Sequence, residues 1–368
     1  MVDENRVVRI FENLVKIYSP SYRERTLADY IKSYVEAMGF LTYEDETGLA
    51  IGSDTGNLIV TIPGNAGGSS ILFASHMDTV EPARGVEPII EDGIIKTGGQ
   101  TILGADDKAG IAAMLELISV LAGKSISHGP IHLVFTVAEE VGLEGAKNLD
   151  LSDKHIDFAY VLDSNGKIGN IVVSAPYQDS FVVEYKGKAA HAGLAPETGI
   201  NAIAAASNAI SCMRLGRIDE ETTANVGVIE GGRAGNIVPD KAKVIAEARS
   251  INLVKLEEQS DRMIDCFKKG AQEVGAEVSI QRYRPYEGYS ATENDEVVRR
   301  AIDALDRLGI PHRLIKSGGG SDTNVFNAMG INAVNLGMGA EYVHTTEEYV
   351  PVAELKNLAN LLVELVKA

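Results

Sequence analysis

Three apolar runs in this chain end in groups that a hydrocarbon core cannot hold uncompensated. ILFASHMDTV (71–80) runs into His76 and Asp78, PIHLVFTVAEE (130–140) into Glu139 and Glu140, and DFAYVLDSNG (157–166) into Asp163. A continuous apolar run of this length suits a strand buried on both faces. The polar group at its end marks the point where the strand leaves the core. Between the first two runs lies GADDKAGIAAMLELISVLAG (104–123), whose apolar spacing is helical. Strands alternating with helices, each strand ending in polar residues, predict an α/β sheet with its site at the strand ends.

The rest of the chain is arranged around that core. The first forty residues read as two amphipathic helices, the first carrying Val7, Ile10, Phe11, Leu14 and Val15 at helical spacing. NLIVTIPG (57–64) is extended, and EDGIIKTG (91–98) is a hairpin tip. The middle segment has another rhythm: strand, small-residue helix, two strands, charged amphipathic helix, strand. That β-α-β-β-α-β order is a ferredoxin-like unit. Inserted near 176–286, it divides the outer domain into 1–175 and 287–368. The predicted fold class is therefore α/β: a catalytic domain with a mixed sheet flanked by helices, plus an inserted ferredoxin-like α+β domain. A chain of 368 residues is long enough for both.

Charge excludes some partners. With 34 Lys and Arg against 52 Asp and Glu, the net charge is -18. Nucleic acid and anionic membranes both call for a basic surface, so neither is an expected partner. The only cysteines are Cys212 and Cys266, with no CxxC spacing, so neither a disulfide framework nor a thiolate metal site is expected. MVDENRVVRIFENLV shows no basic segment followed by an apolar core, and no apolar run approaches the roughly 20 residues of a bilayer span. The expected location is the cytoplasm.

The candidate chemistry is a set of ligand-type residues: His76, Asp106, Glu140, Asp163 and His344, with Asp78, Asp107 and Glu139 beside them. Neutral imidazole with carboxylate oxygen suits zinc, cobalt or manganese. Converging carboxylates repel one another unless cations neutralise them, which favours two metals over none. Each feature alone has an ordinary structural reading. Asp106 and Asp107 can start a helix, where the macrodipole favours acid; Asp163 can form a turn, and His344 can be a surface histidine. Their joint occurrence at strand and loop ends is what points to a metal site. SGGGSDTN (317–324) lacks the phosphate-loop pattern, but its consecutive glycines expose amides able to hold a carboxylate or oxyanion. KAAHAGLAP (188–196) places His191 in a loop of the inserted domain.

SHMDTV, LGADDKAG, TVAEEVGLEGAKNL, VLDSNG, GKAAHAG, GGRAGNIVPDKA, GGGSDTNVFNAMGI and EYVHTTEE together resemble the two-zinc amidohydrolase and peptidase family. That family contains peptidase T, glutamate carboxypeptidase, aminoacylase and succinyl-diaminopimelate desuccinylase. The motifs span most of the chain in the family's order, and LGADDKAG, GGGSDTNVFN and HTTEE look most like the peptidase T branch. The resemblance implies two Zn2+ per chain, with Co2+ or Mn2+ as substitutes. It implies His76 and Asp163 on one ion, Glu140 and His344 on the other, and Asp106 bridging. Asp78 would orient His76, Glu139 would be the general base, and the Asp106–Asp107 bond would be cis. The inserted domain would be a lid through which two chains can pair, and its His191 would assist the oxyanion. Asn236, Arg249 and the 317–321 loop, with Gly319 and Ser321, would grip the carboxylate end of the substrate.

The function implied is an aminopeptidase acting on short peptides, tripeptides above all. A carboxypeptidase or N-acyl-amino-acid deacylase would share the chemistry, and a non-catalytic metal-binding protein would share the fold.

Overall fold

The computed structural model describes residues 1–123 and 126–367. They form two compact units. The first comprises 1–173, 291–316 and 321–368; the second comprises 174–290 and 317–320.

The first unit is built on a mixed sheet. Its central order is Thr42–Glu44, Leu58–Ile62, Ile131–Thr136, Ile71–His76, Phe158–Ser164, Asn332–Gly337 and Asn170–Ala175. Ile71–His76 runs parallel to Ile131–Thr136 and to Phe158–Ser164, and Asn332–Gly337 runs parallel to Phe158–Ser164. Successive side chains of a strand point to opposite faces, so each strand feeds two cores. Phe73, Leu133 and Tyr160 pack on one face with the helices Glu4–Val15, Ala105–Gly123 and Val352–Val366. Leu72, Val134 and Ala159 pack on the other with Phe326 of the helix Asp322–Ala328. Fully burying one such Leu, Val or Phe is worth about 1.5–3 kcal/mol.

The helix Ala105–Gly123 is apolar all round, and every residue from Ala105 to Val120 is buried. A helix of that kind belongs inside a protein rather than on its surface. Gly110 lets it approach the sheet: a Cβ there would lie 2.2 Å from Ser75 Oγ and 2.9 Å from Leu162 Cβ. The hairpin expected at 91–98 forms between Ile89–Glu91 and Ile94–Lys96. Asp92 and Gly93 both have positive φ, the requirement of a tight two-residue hairpin turn. Tyr349–Pro351 adds a third strand to this hairpin, a pairing nothing local in the sequence announces. No helix among the described residues is long and apolar enough to cross a membrane.

In the second unit the strands Tyr177–Lys186, Thr222–Gly231, Lys241–Ser250 and Glu277–Tyr286 form an antiparallel sheet, with Gly216–Arg217 at one edge. The helices Ala202–Cys212 and Leu253–Val274 follow the first and third of these long strands and share one core with the sheet. Asn201 and Asn252 cap the two helices through their side-chain oxygens. The Asp179 carboxylate, almost wholly buried, takes hydrogen bonds from Arg282, Arg284 and Ser260.

Two features depart from the sequence expectation. Cys212 and Cys266 are joined in a disulfide across 54 residues, where no disulfide was expected. The cause is tertiary: the two helices pack side by side, close enough that a Cβ on Gly270 would lie 2.4 Å from Ala205 O. The stretch 317–320, predicted within the last segment of the outer domain, packs instead with the second unit. Ser317 N–H donates to Ser174 O, Gly320 N–H donates to the Tyr286 hydroxyl, and Arg249 Nη1 donates to Gly318 O.

Candidate metal centre

Strand register creates the site. His76 is the last residue of its strand and lies level with Thr136 of the neighbour. On its other side Ala74 pairs with Val161, so two further residues bring His76 level with Asp163. Beyond Thr136 the chain turns at Ala138, whose φ of 51 is costly for a residue with a Cβ, of order 1–3 kcal/mol. The turn delivers Glu139 and Glu140. It is held by buried Glu24, which accepts the Ala138 N–H at 2.9 Å. Asp106 and Asp107 open the central helix in non-helical conformations, and the peptide between them is cis, as the resemblance implied. His344 lies in a loop, also at positive φ.

These residues meet around Asp106. Its Oδ1 is 3.0 Å from His76 Nε2, and its Oδ2 is 3.3 Å from His344 Nε2. Asp163 Oδ1 stands 3.7 Å from the same His76 nitrogen, and Glu140 Oε1 stands 2.8 Å from His344 Nε2. One carboxylate thus faces two imidazoles, each with a second carboxylate beside it. His76 Nδ1 lies 2.8 Å from the Asp78 carbonyl oxygen. A proton on Nδ1 is thereby fixed by the backbone, and Nε2 keeps its lone pair for the site. Among the described residues, the ligand atoms of His76, Asp106 and Glu140 lie within 4.8 Å of one another, as do those of His76, Asp107 and Asp163.

The electrostatics describe a cluster short of positive charge. Burial pushes Asp163 up to about 7, with Asp106 adding to the effect. Burial, then the charge of Asp163, raises Glu139 well above the carboxylate range, and burial does the same to Asp107. Burial opposes a charged His76, yet its hydrogen bonds to Asp106, Asp163 and Asp78 outweigh this and raise it. Hydrogen bonds to the carboxylates of Asp106 and Glu140 hold His344 up at about 10. Burial alone would raise Asp106, but His344 and His76 keep it well below its ordinary range. Divalent cations would neutralise these converging carboxylates, so the donor set fits metal ions. Asp107 Oδ1, buried and without a hydrogen-bond partner among the described residues, points the same way.

Asp78 has a wider role than orienting His76. Its carboxylate is 3.4 Å from His76 Nδ1 but accepts the amides of Glu139 at 2.9 Å and Glu140 at 3.2 Å, and the Ser21 hydroxyl at 2.6 Å. It therefore aims both glutamates. Asn335 does the same for Asp163, accepting its N–H at 3.0 Å. The Ser321 hydroxyl caps the helix Asp322–Ala328 and accepts from Asn335 Nδ2. Of the other expected residues, His191, Asn236, Arg249 and Gly319 belong to the second unit. There His191 and Asn236 are neighbours, joined by the Ala192 N–H to Asn236 O bond. Arg249 is paired with Glu247 and lies beside Gly319. Glu24 and Asn335 escape sequence reading as contributors to the site, and Glu348 enters it only as the last residue of EYVHTTEE; Asp107 stands among the sequence candidates because it adjoins Asp106.

Comparison with known proteins shows the family. An uncharacterised protein of Bacillus subtilis, YqjE, is 46% identical over 367 residues, covering 100% of this chain and 99% of its own length. The structure of an aminopeptidase PepT from Bacillus cereus superposes with a TM-score of 0.91 at 44% identity, covering 99% of this chain and 98% of that one. A tripeptidase from Staphylococcus aureus superposes with a TM-score of 0.95 at 41% identity, covering 100% and 98%. The model of peptidase family M20/M25/M40 matches residues 72–368, and the chain belongs to that family.

Proposed function

We propose that this peptidase is a metal-dependent aminopeptidase that removes the first residue of short peptides, tripeptides above all. The observation that carries the reading is the two-sided environment of Asp106, with His76 and Asp163 on one side and His344 and Glu140 on the other. The relatives named aminopeptidase and tripeptidase support the substrate class. His76 and Asp163 would hold one ion, His344 and Glu140 a second, with Asp106 shared. Zinc suits these donors first, cobalt or manganese next. Such ions supply Lewis acidity to an amide carbonyl and lower the pKa of a water.

The chain's own residues carry the proton. Glu139, with its backbone fixed by Asp78, accepts a proton from the attacking water and returns it to the leaving amine. Burial and the charge of Asp163 raise the Glu139 carboxyl well above its ordinary range, which suits a group that takes up a proton. His191 would donate to the oxyanion, and Asn236, Arg249, Gly319 and Ser321 would hold the substrate's carboxylate end. The proposal includes a cytoplasmic setting and a homodimer formed through the second unit. Ile245 and Tyr283, exposed on the sheet face away from its two helices, supply apolar surface for that pairing.

The test is a digest of a free tripeptide and its N-acetylated form by protein loaded with Zn2+, Co2+ or Mn2+. Release of the N-terminal residue from the free peptide alone is expected. Deacetylation, or release of the C-terminal residue, would transfer the protein to the deacylase or carboxypeptidase reading. Metal uptake without cleavage of any peptide or acyl substrate would favour a non-catalytic role.

A further inference from the structure

We propose that Glu348 is a positioning residue of the metal centre, clamping the segment that presents Asp106 to the loop that presents His344. This rests on the metal-site reading above and adds a residue to it.

The Glu348 side chain is 1% exposed. Its Oε2 accepts the N–H of Leu103 at 2.8 Å and of Gly104 at 2.7 Å, and its Oε1 accepts the N–H of Asp106 at 3.1 Å. The partners are 242 to 245 residues away in sequence. Gly104, at φ 74, turns the chain so that the amides converge, which makes the segment 103–106 an anion-binding concavity. A side chain would disfavour that conformation, which gives the glycine of LGADD its reason. At the other end of the clamp, the loop is closed on itself. Glu341 and Tyr349 exchange backbone hydrogen bonds, and the Glu348 N–H donates to Thr345 O. His344 sits inside that closed loop. Each segment joined by Glu348 therefore carries one metal-ligand candidate, and the carboxylate fixes the distance between them.

A buried carboxylate is a costly way to join two loops unless its hydrogen bonds are complete. Lys108, a buried cation two residues after Asp106, does not hydrogen-bond to Glu348, because its Nζ donates to Ile17 O. The amides are what hold Glu348, and they come from the approach to Asp106. Groups of this kind, one step behind a metal ligand, typically change metal affinity about 10–100-fold when removed.

Glu348→Gln keeps the shape but offers one acceptor oxygen in place of two, so an amide hydrogen would face the Leu103–Gly104 pair or the Asp106 amide. Two measurements read the result. On metal-free protein, hydrogen exchange of a peptide spanning 102–107 is expected to accelerate at least tenfold. In a Co2+ titration followed by visible absorption, the weaker binding step is expected to weaken about 10–100-fold. Asp157→Asn is the control. It removes a carboxylate that accepts the Ser70 N–H at the amino end of the sheet, and both readouts should match wild type. Should E348Q fail to fold, Glu348→Asp, charged but too short to reach all the amides, is read in the same way. Unchanged exchange at 102–107 overturns the clamp whatever the metal does. Faster exchange with a Co2+ titration identical to wild type overturns its role in the metal centre. Wild-type protein that binds no Co2+ sinks the metal-site reading and this role with it, while the exchange result still decides the clamp.

Discussion

Glu139 and Glu140 are adjacent carboxylates with different fates, and the backbone decides which is which. The left-handed turn at Ala138 and the two amides held by Asp78 aim Glu140 at His344 and leave the partly buried Glu139 side chain without a hydrogen-bond partner among the described residues. A residue that contacts no ligand but carries the proton should be separable from metal binding. Glu139→Ala is expected to retain metal, measured by elemental analysis, and to lose turnover by two to four orders of magnitude, about the contribution of general acid–base catalysis. Activity within tenfold of wild type would remove Glu139 from the proton path. At this scale the sequence is informative where chemistry sits at the end of a pattern. His76, Asp163 and Glu140 each interrupt or terminate an apolar run, so a strand reading finds them. Glu348 and Glu24 terminate nothing. Their meaning lies in amides more than a hundred residues away, and no spacing encodes it.

Elements were legible to the degree that their cores are local. The helix 105–123 and its neighbouring strands announce themselves by apolar periodicity. The strand 349–351, the Cys212–Cys266 pairing and the attachment of 317–320 depend on which elements later pack together. The central helix also shows how closely an element is fitted. Gly110→Ala would place a methyl 2.2 Å from Ser75 Oγ and 2.6 Å from Asp107 Oδ1, inside a fully buried contact. Overpacking of this kind costs about 1–3 kcal/mol. Gly123, in the exposed last turn of the same helix, has nothing among the described residues within 4 Å of such a methyl. Gly123→Ala is expected to be neutral or to stabilise by up to about 1 kcal/mol through helix propensity. Urea melts should therefore move in opposite directions, or one not at all. A G110A midpoint equal to wild type would mean that the helix does not pack this tightly on the sheet.

Across the whole molecule the candidate ligands are distributed unevenly: His76, Asp106, Glu140, Asp163 and His344 all belong to the first unit. Ion binding should then stabilise that unit and leave the second unmoved. A ligand at a thousandfold its dissociation constant adds about 4 kcal/mol to the state that binds it. The chain has no tryptophan, so a single fluorescence melt cannot separate the units, whereas hydrogen exchange resolved by peptide can. Adding Zn2+ is expected to slow exchange in 71–76 and 105–123 and to leave 222–231 and 253–274 unchanged; chelation should reverse it. The sign with pH follows from the histidines. Held near 10 in the metal-free site, His344 is protonated at neutral pH, and its own contribution to the metal-free fold is present below about 6.5 and fades as pH rises through 10. A coordinating imidazole must be neutral, so metal displaces that proton, and the protection it confers should grow from pH 6 to pH 8. Protection that spreads equally into the second unit, or that weakens over this pH range, would place the ions on groups other than these.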